Sequence, residues 1–201
     1  MAHLEEAIGA LHAGQLVVYP TETFYAIGAD PFSPAALRRL FEVKHREPAQ
    51  PIGLIAADTA MAFSVAREVP PDARKLADAF WPGPLTIVLP ARADVAPELT
   101  GPDGVGVRVS PHPVARALSA GIGRPITATS ANLSGKPPAR TVEEARAELG
   151  EKVEVYLEGG KLTAPTPSTV LVVVATGWKM VRIGAISDDQ IATALAQPRL
   201  T

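Results

Sequence analysis

Short apolar runs alternate with amphipathic helical patterns from one end of the chain to the other, which leaves few architectures open. Leu4, Ala7, Ile8 and Leu11 recur at helical spacing, and Gly14 can close the helix they define. Residues 16–19 read as a buried strand running into the loop 20–28. Ser33-Pro34 supplies an N-cap and an N1 proline for a helix to about Lys44. Further strands are expected at 51–57, 85–89, 105–109, 125–129, 153–157, 169–174 and 180–183. Helices are expected after an Asp58 cap, at about 72–80, after Ser110-Pro111, from Thr141 to Leu149 and after Ser187. The last two open on capping boxes. The pattern predicts an α/β fold with helices packed on a central sheet. Because the late strands follow one another without helices, a mixed sheet is expected rather than an all-parallel one. No linker-like stretch interrupts the chain, so one domain over residues 1–201 is expected.

Composition narrows the chemistry. The 201 residues are 47% hydrophobic and 20% charged, which is ordinary for a globular chain. There is no cysteine, which excludes disulfides, thiolate nucleophiles and Cys-ligated zinc. The N-terminus lacks a basic segment followed by an apolar one, and no apolar run is long enough to span a bilayer. A soluble, cytoplasmic protein is expected. A net charge of −2 and a pI near 6.1 argue against a broad nucleic-acid-binding surface, so any RNA contact would need a local basic patch. The four histidines have no metal-ligand spacing, and no metal site is expected. Neither a Walker phosphate loop, a dinucleotide fingerprint nor a nucleophile elbow is present. An enzyme built from these residues would work by positioning and electrostatics rather than through a covalent nucleophile.

Five polar clusters lie at strand ends, where α/β folds place ligands. The first, residues 19–28, carries Thr21, Glu22 and Thr23 directly after a strand; it reads as a ligand loop or a capped turn. The second is Lys44-His45-Arg46. Leu37, Leu40 and Phe41 form an apolar stripe that Lys44 prolongs, so the lysine snorkels, points into a cleft or answers the helix dipole. The third is Arg108 among apolar neighbours, turned to solvent or fixing an anion. The fourth, residues 127–136, gathers Thr127, Thr129, Ser130, Asn132, Ser134 and Lys136, a donor-rich loop suited to phosphate. The fifth pairs Pro167-Ser168-Thr169 with Arg182 and Gly184.

Taken in order, these clusters resemble the YrdC/TsaC family of threonylcarbamoyl-AMP synthases. The family pattern P-T-E-T-x-Y-G-[LI]-G, K-x-R, W-P-G-P-[LVI]-T, V-R-x-x-x-H-P, [ST]-S-A-N-x-S-G, S-T-[VI] and R-x-G is matched at residues 20–28, 44–46, 81–86, 107–113, 129–135, 168–170 and 182–184. The resemblance implies a twisted mixed sheet flanked by helices, with a central concave cleft. It also implies a nucleotidyl transfer that joins L-threonine, bicarbonate and ATP, with Mg²⁺, into threonylcarbamoyl-AMP and pyrophosphate for threonylcarbamoyladenosine modification of tRNA. Thr21, Thr23, Arg108, Ala128, Thr129 and Ser168 would then hold threonine. Lys44, Arg46, Ser130, Asn132, Ser134 and Arg182 would hold ATP, with Lys44, Arg46 and Arg108 as the catalytic cations. Other proteins of the tRNA-modification pathway would receive the product.

Three departures stand out. Ala26 replaces a usual glycine, Glu47 a usual proline, and the extra C-terminal domain of longer members is not represented. The alternative readings are a non-catalytic protein that binds tRNA or other double-stranded RNA, and a carbamoyl-transfer module resembling that of hydrogenase-maturation proteins.

Overall fold

The computed structural model of the protein describes residues 2–45, 51–163 and 166–195. It contains two mixed sheets where the sequence pattern suggested one. The smaller has the order β8-β2-β1-β9, with β1 (Val17–Tyr19) between β2 (Ala26–Gly28) and β9 (Val155–Tyr156), and β8 (Thr129–Ser130) beyond β2. The larger runs β11-β10-β4-β6-β3-β7 and is built from β3 (Leu54–Ala56), β4 (Leu85–Leu89), β6 (Gly104–Val109), β7 (Ile126–Thr127), β10 (Thr169–Val174) and β11 (Gly177–Arg182). The short β5 (Thr100–Gly101) pairs with β6. Both sheets combine parallel and antiparallel pairs.

The strand expected at 125–129 crosses from one sheet to the other. Its first half, β7, pairs with β3; after Ala128, β8 pairs with β2. At the crossing the Thr127 hydroxyl accepts from the Ala29 N–H at 2.8 Å and donates to the Ile27 carbonyl at 3.2 Å, and the Ala128 N–H bonds the Gly53 carbonyl at 2.8 Å. Side-chain bonds thus supplement irregular backbone bonds where the chain changes sheets.

Alternation along the large sheet sorts its two faces. Leu85, Ile87, Leu89, Val105, Val107, Leu171 and Val173 point into the main core, which α2 (Pro34–Lys44), α4 (Pro71–Phe80) and α7 (Asp188–Leu195) help to close. Thr86, Val88, Gly106, Arg108, Val170 and Val172 lie on the other face. A second core packs α1 (Ala2–His12) and α5 (Pro113–Ile122) against Val17, Tyr19, Ile55 and Ile126.

Several caps fall where the sequence places them. Ser33 accepts from the Ala36 N–H, Asp58 from Met61 at the start of α3 (Thr59–Phe63), and Ser187 with Gln190 forms a full reciprocal box. Others shift. Pro113 rather than Pro111 opens α5, and His112 Nδ1 rather than Ser110 caps it, because Ser110 bonds elsewhere. Thr141 caps α6 (Val142–Leu149), but Glu144 reaches back to the Arg140 N–H, one residue earlier than a capping box requires. No helix among the described residues is long and apolar enough to cross a membrane.

Candidate functional site

The face of the large sheet opposite its main core, the loop 21–26 and the crossing residues 128–130 enclose a cavity of about 500 Å³. Strand alternation settles the orientation of Arg108, which the sequence left open. It projects from β6 into this cavity, and only 8% of it is exposed. Its guanidinium meets Glu22 Oε1 at 2.5 Å, and Ser110 Oγ donates to Glu22 Oε2 at 2.5 Å.

One hydroxyl folds the turn before β2. Thr21 Oγ1 accepts from the Thr23 and Phe24 N–H groups, donates to the Phe24 carbonyl at 2.7 Å and lies 3.1 Å from Thr23 Oγ1. That turn sets Thr21 and Thr23 on the cavity wall and Glu22 behind Arg108. Ala26, at the usual glycine position, is an ordinary buried strand residue that also lines the cavity, so the alanine costs no backbone strain there.

Ser168 and Arg182 meet at the far side. Arg182 donates to the Ser168 carbonyl at 2.9 and 3.1 Å and to its hydroxyl at 3.1 Å; that hydroxyl also shares a 3.0 Å bond with Thr86. Val181 is the extra residue of a bulge between the pairs Leu171–Met180 and Val170–Arg182, which lets both Val181 and Arg182 line the cavity. Gly184 makes this junction fit: a Cβ there would lie 2.3 Å from the Pro167 carbonyl oxygen and 2.6 Å from the Thr169 nitrogen. Partial burial, and then the nearby charge of Arg108, lower the Arg182 pKa, yet a guanidinium stays charged at any physiological pH.

Lys44 lies elsewhere. It is 2% exposed, and its ammonium bonds the Ser130 carbonyl at 2.5 Å, the Asn132 carbonyl at 2.6 Å and Asn132 Oδ1 at 3.3 Å. In return the Ser134 hydroxyl and N–H donate to the Lys44 carbonyl at 2.8 and 3.2 Å. Asn132 turns its amide nitrogen to the carbonyls of Leu133 and Lys136. Lys44, Asn132 and Ser134 therefore form a clasp that holds the loop 130–136 from outside the cavity lining. His45 ends α2 in the left-handed region at φ 48°. Arg46 and Glu47 lie outside the described residues.

The structure thus gathers Thr21, Thr23, Arg108, Ala128, Thr129, Ser130, Ser168 and Arg182 around one cavity. Among the described residues, Lys44 is tied to the cavity wall by its bond to the Ser130 carbonyl, and Asn132 and Ser134 are tied to Lys44. Sequence reasoning missed Ser110, the turn 101–104 with Asp103 at the rim, and the link from Glu22 to Arg108. Glu22 was visible in its motif, but nothing local announces a partner 86 residues away. Among the described residues no group of three or more His, Asp or Glu converges as a metal site.

Comparison with known proteins follows the same residues. The Sua5/YciO/YrdC family model, described as telomere recombination, matches residues 9–184. The threonylcarbamoyl-AMP synthase of Vibrio cholerae is 39% identical over 171 residues, covering 84% of this chain and 91% of that protein. The synthase of Photobacterium profundum is 38% identical over 169 residues, covering 79% and 88%. The crystal structure of P. abyssi Sua5 complexed with L-threonine aligns with a TM-score of 0.92 at 34% identity over 98% of this chain, which spans only 58% of that longer one. The matched stretch holds every residue found to line the cavity, and the chain belongs to the Sua5/YciO/YrdC family.

Proposed function

We propose that the protein is an ATP-dependent nucleotidyltransferase that makes threonylcarbamoyl-AMP from L-threonine, bicarbonate and ATP, for threonylcarbamoyladenosine modification of tRNA. One observation carries the reading: Arg108 and Arg182, from strands far apart in the chain, converge with the hydroxyls of Thr21, Thr23 and Ser168 on a single cavity. The relatives named as threonylcarbamoyl-AMP synthases, and the relative complexed with L-threonine, support it.

The cavity offers two ends. Around Arg108, the donors of Thr23 and the backbone of residues 128–129 suit the carboxylate, amine and hydroxyl of a small amino acid. Arg182 and Ser130, with the clasped loop 130–136 behind, suit phosphates. The threonine amine must be neutral to attack bicarbonate, which an α-amino pKa near ~8 allows without a strong base. With loss of water the product is the N-carboxylate. One of its oxygens then attacks the α-phosphorus and pyrophosphate departs. Arg182 meets the negative charge that spreads over the phosphoryl oxygens, Arg108 keeps the carboxylate from wandering, and the fixed geometry raises the effective concentration of the attacking group. Mg²⁺ would enter with the triphosphate, held by phosphate oxygens and water, and would supply further charge neutralisation.

The test is pyrophosphate release from ATP, expected only with both threonine and bicarbonate present. Release no greater than the threonine-free background overturns the reading.

A further inference from the structure

Glu22 has no assigned part in this chemistry, yet it is firmly held beside the cavity. Both of its oxygens are engaged, one by Arg108 and one by Ser110. Ser110 is itself fully buried, and its oxygen accepts from the His112 N–H at 3.1 Å. The Glu22 side chain is 14% exposed, so solvent screens it little. Among the described residues it is the carboxylate that pairs with Arg108.

The need for such a partner follows from charge. Arg182 stands close enough for its charge and that of Arg108 to disfavour one another. Two unopposed guanidinium groups in one cavity would attract a polyphosphate more than a carboxylate, since attraction grows with ligand charge. A fixed carboxylate behind Arg108 cancels one of the two charges and repels a polyanion more than a monoanion. It also engages one guanidinium nitrogen of a residue that still lines the cavity and has further donors to offer.

We infer that Glu22 is a specificity-determining residue of the amino-acid end: held by Arg108 and Ser110, it reserves Arg108 for a monocarboxylate and turns away the phosphate chain that the neighbouring end accepts. This rests on the two-ended reading of the cavity proposed above.

The probe is inorganic pyrophosphate alone, its binding measured by calorimetry on the whole chain and on Glu22→Gln, which keeps the shape and removes the charge. Pyrophosphate is expected to bind Glu22→Gln about tenfold more tightly and to be displaced by L-threonine. In turnover, the KM for threonine is expected to rise more than kcat falls, and pyrophosphate to become competitive with threonine. If the glutamine variant does not fold, Glu22→Ala, which leaves room for water, is read the same way. Glu22→Asp retains the charge and is expected to bind pyrophosphate as the wild type does. Unchanged pyrophosphate affinity in the folded uncharged variants overturns the inference, as does tightened affinity in Glu22→Asp. Wild-type protein without threonine-dependent turnover overturns the proposed function instead, and the pyrophosphate comparison reads the charge effect in either case.

Discussion

Two buried cations serve this site, and they are held by different means. Arg108 stands on a strand, faces the cavity and is matched by the side chain of Glu22. Lys44 ends a helix, lies outside the cavity lining and is gripped by backbone carbonyls of the loop 130–132. A cation matched by one side chain on one nitrogen keeps its remaining donors without involving the main chain. One matched by carbonyls fixes the chain itself. Under the proposed function Arg108 would order a ligand, whereas the bonds of Lys44 hold the loop that carries Ser130.

The largest expected effect comes from removing the loop's anchor. Lys44→Met keeps the apolar stem but leaves the Ser130 and Asn132 carbonyls without that donor, at a cost of about 2–5 kcal/mol in the unfolding free energy measured by urea denaturation. A stability loss no larger than that of Arg108→Lys would break the distinction.

Arg108→Lys is expected to show the reverse pattern. The charge remains but the fork is lost, so the KM for threonine should rise about 10–100-fold, the kinetic equivalent of one or two charge-assisted hydrogen bonds. Unfolding should shift little. Equal losses in threonine and ATP binding would show that Arg108 does not belong to one end of the cavity.

The smallest effect tests how far the charge arrangement around Glu22 extends. His112 caps α5 with a neutral Nδ1, and burial holds its pKa below the ordinary value, with Glu22 opposing the shift. Below the unfolded-chain value of about 6.5, the unfolded state binds a proton that the folded state refuses, so stability declines as pH falls toward the folded value. His112→Ser keeps a cap and is expected to abolish that part of the pH dependence. An unaltered stability–pH curve would remove His112 from the arrangement.

Much of this was legible in the chain because local rules governed it. The apolar stripe that placed Lys44 on the buried face of α2 is borne out, with Leu37 and Leu40 beside it in the core. The sequence could not choose among the three fates of that lysine, because its acceptors lie 86 and 88 residues away. Alternation at 105–109 was equally clear, but which face was the cavity depended on β4, β10 and the bulge in β11. The division into two sheets left a faint trace. The run 125–129 has the apolar and β-branched residues of a continuous strand, and only the hydroxyl of Thr127, bonding across the gap, marks the break. Ser110-Pro111 resembled a helix start more than His112-Pro113 did because nothing local reveals that Glu22 claims the Ser110 hydroxyl.

The strand that changes sheets has one more consequence. Because residues 126–130 are woven into both layers, the layers cannot slide or part without tearing the stretch that supplies Ala128, Thr129 and Ser130 to the binding wall. Damage to the packing under either sheet is therefore expected to reach the same few backbone amides.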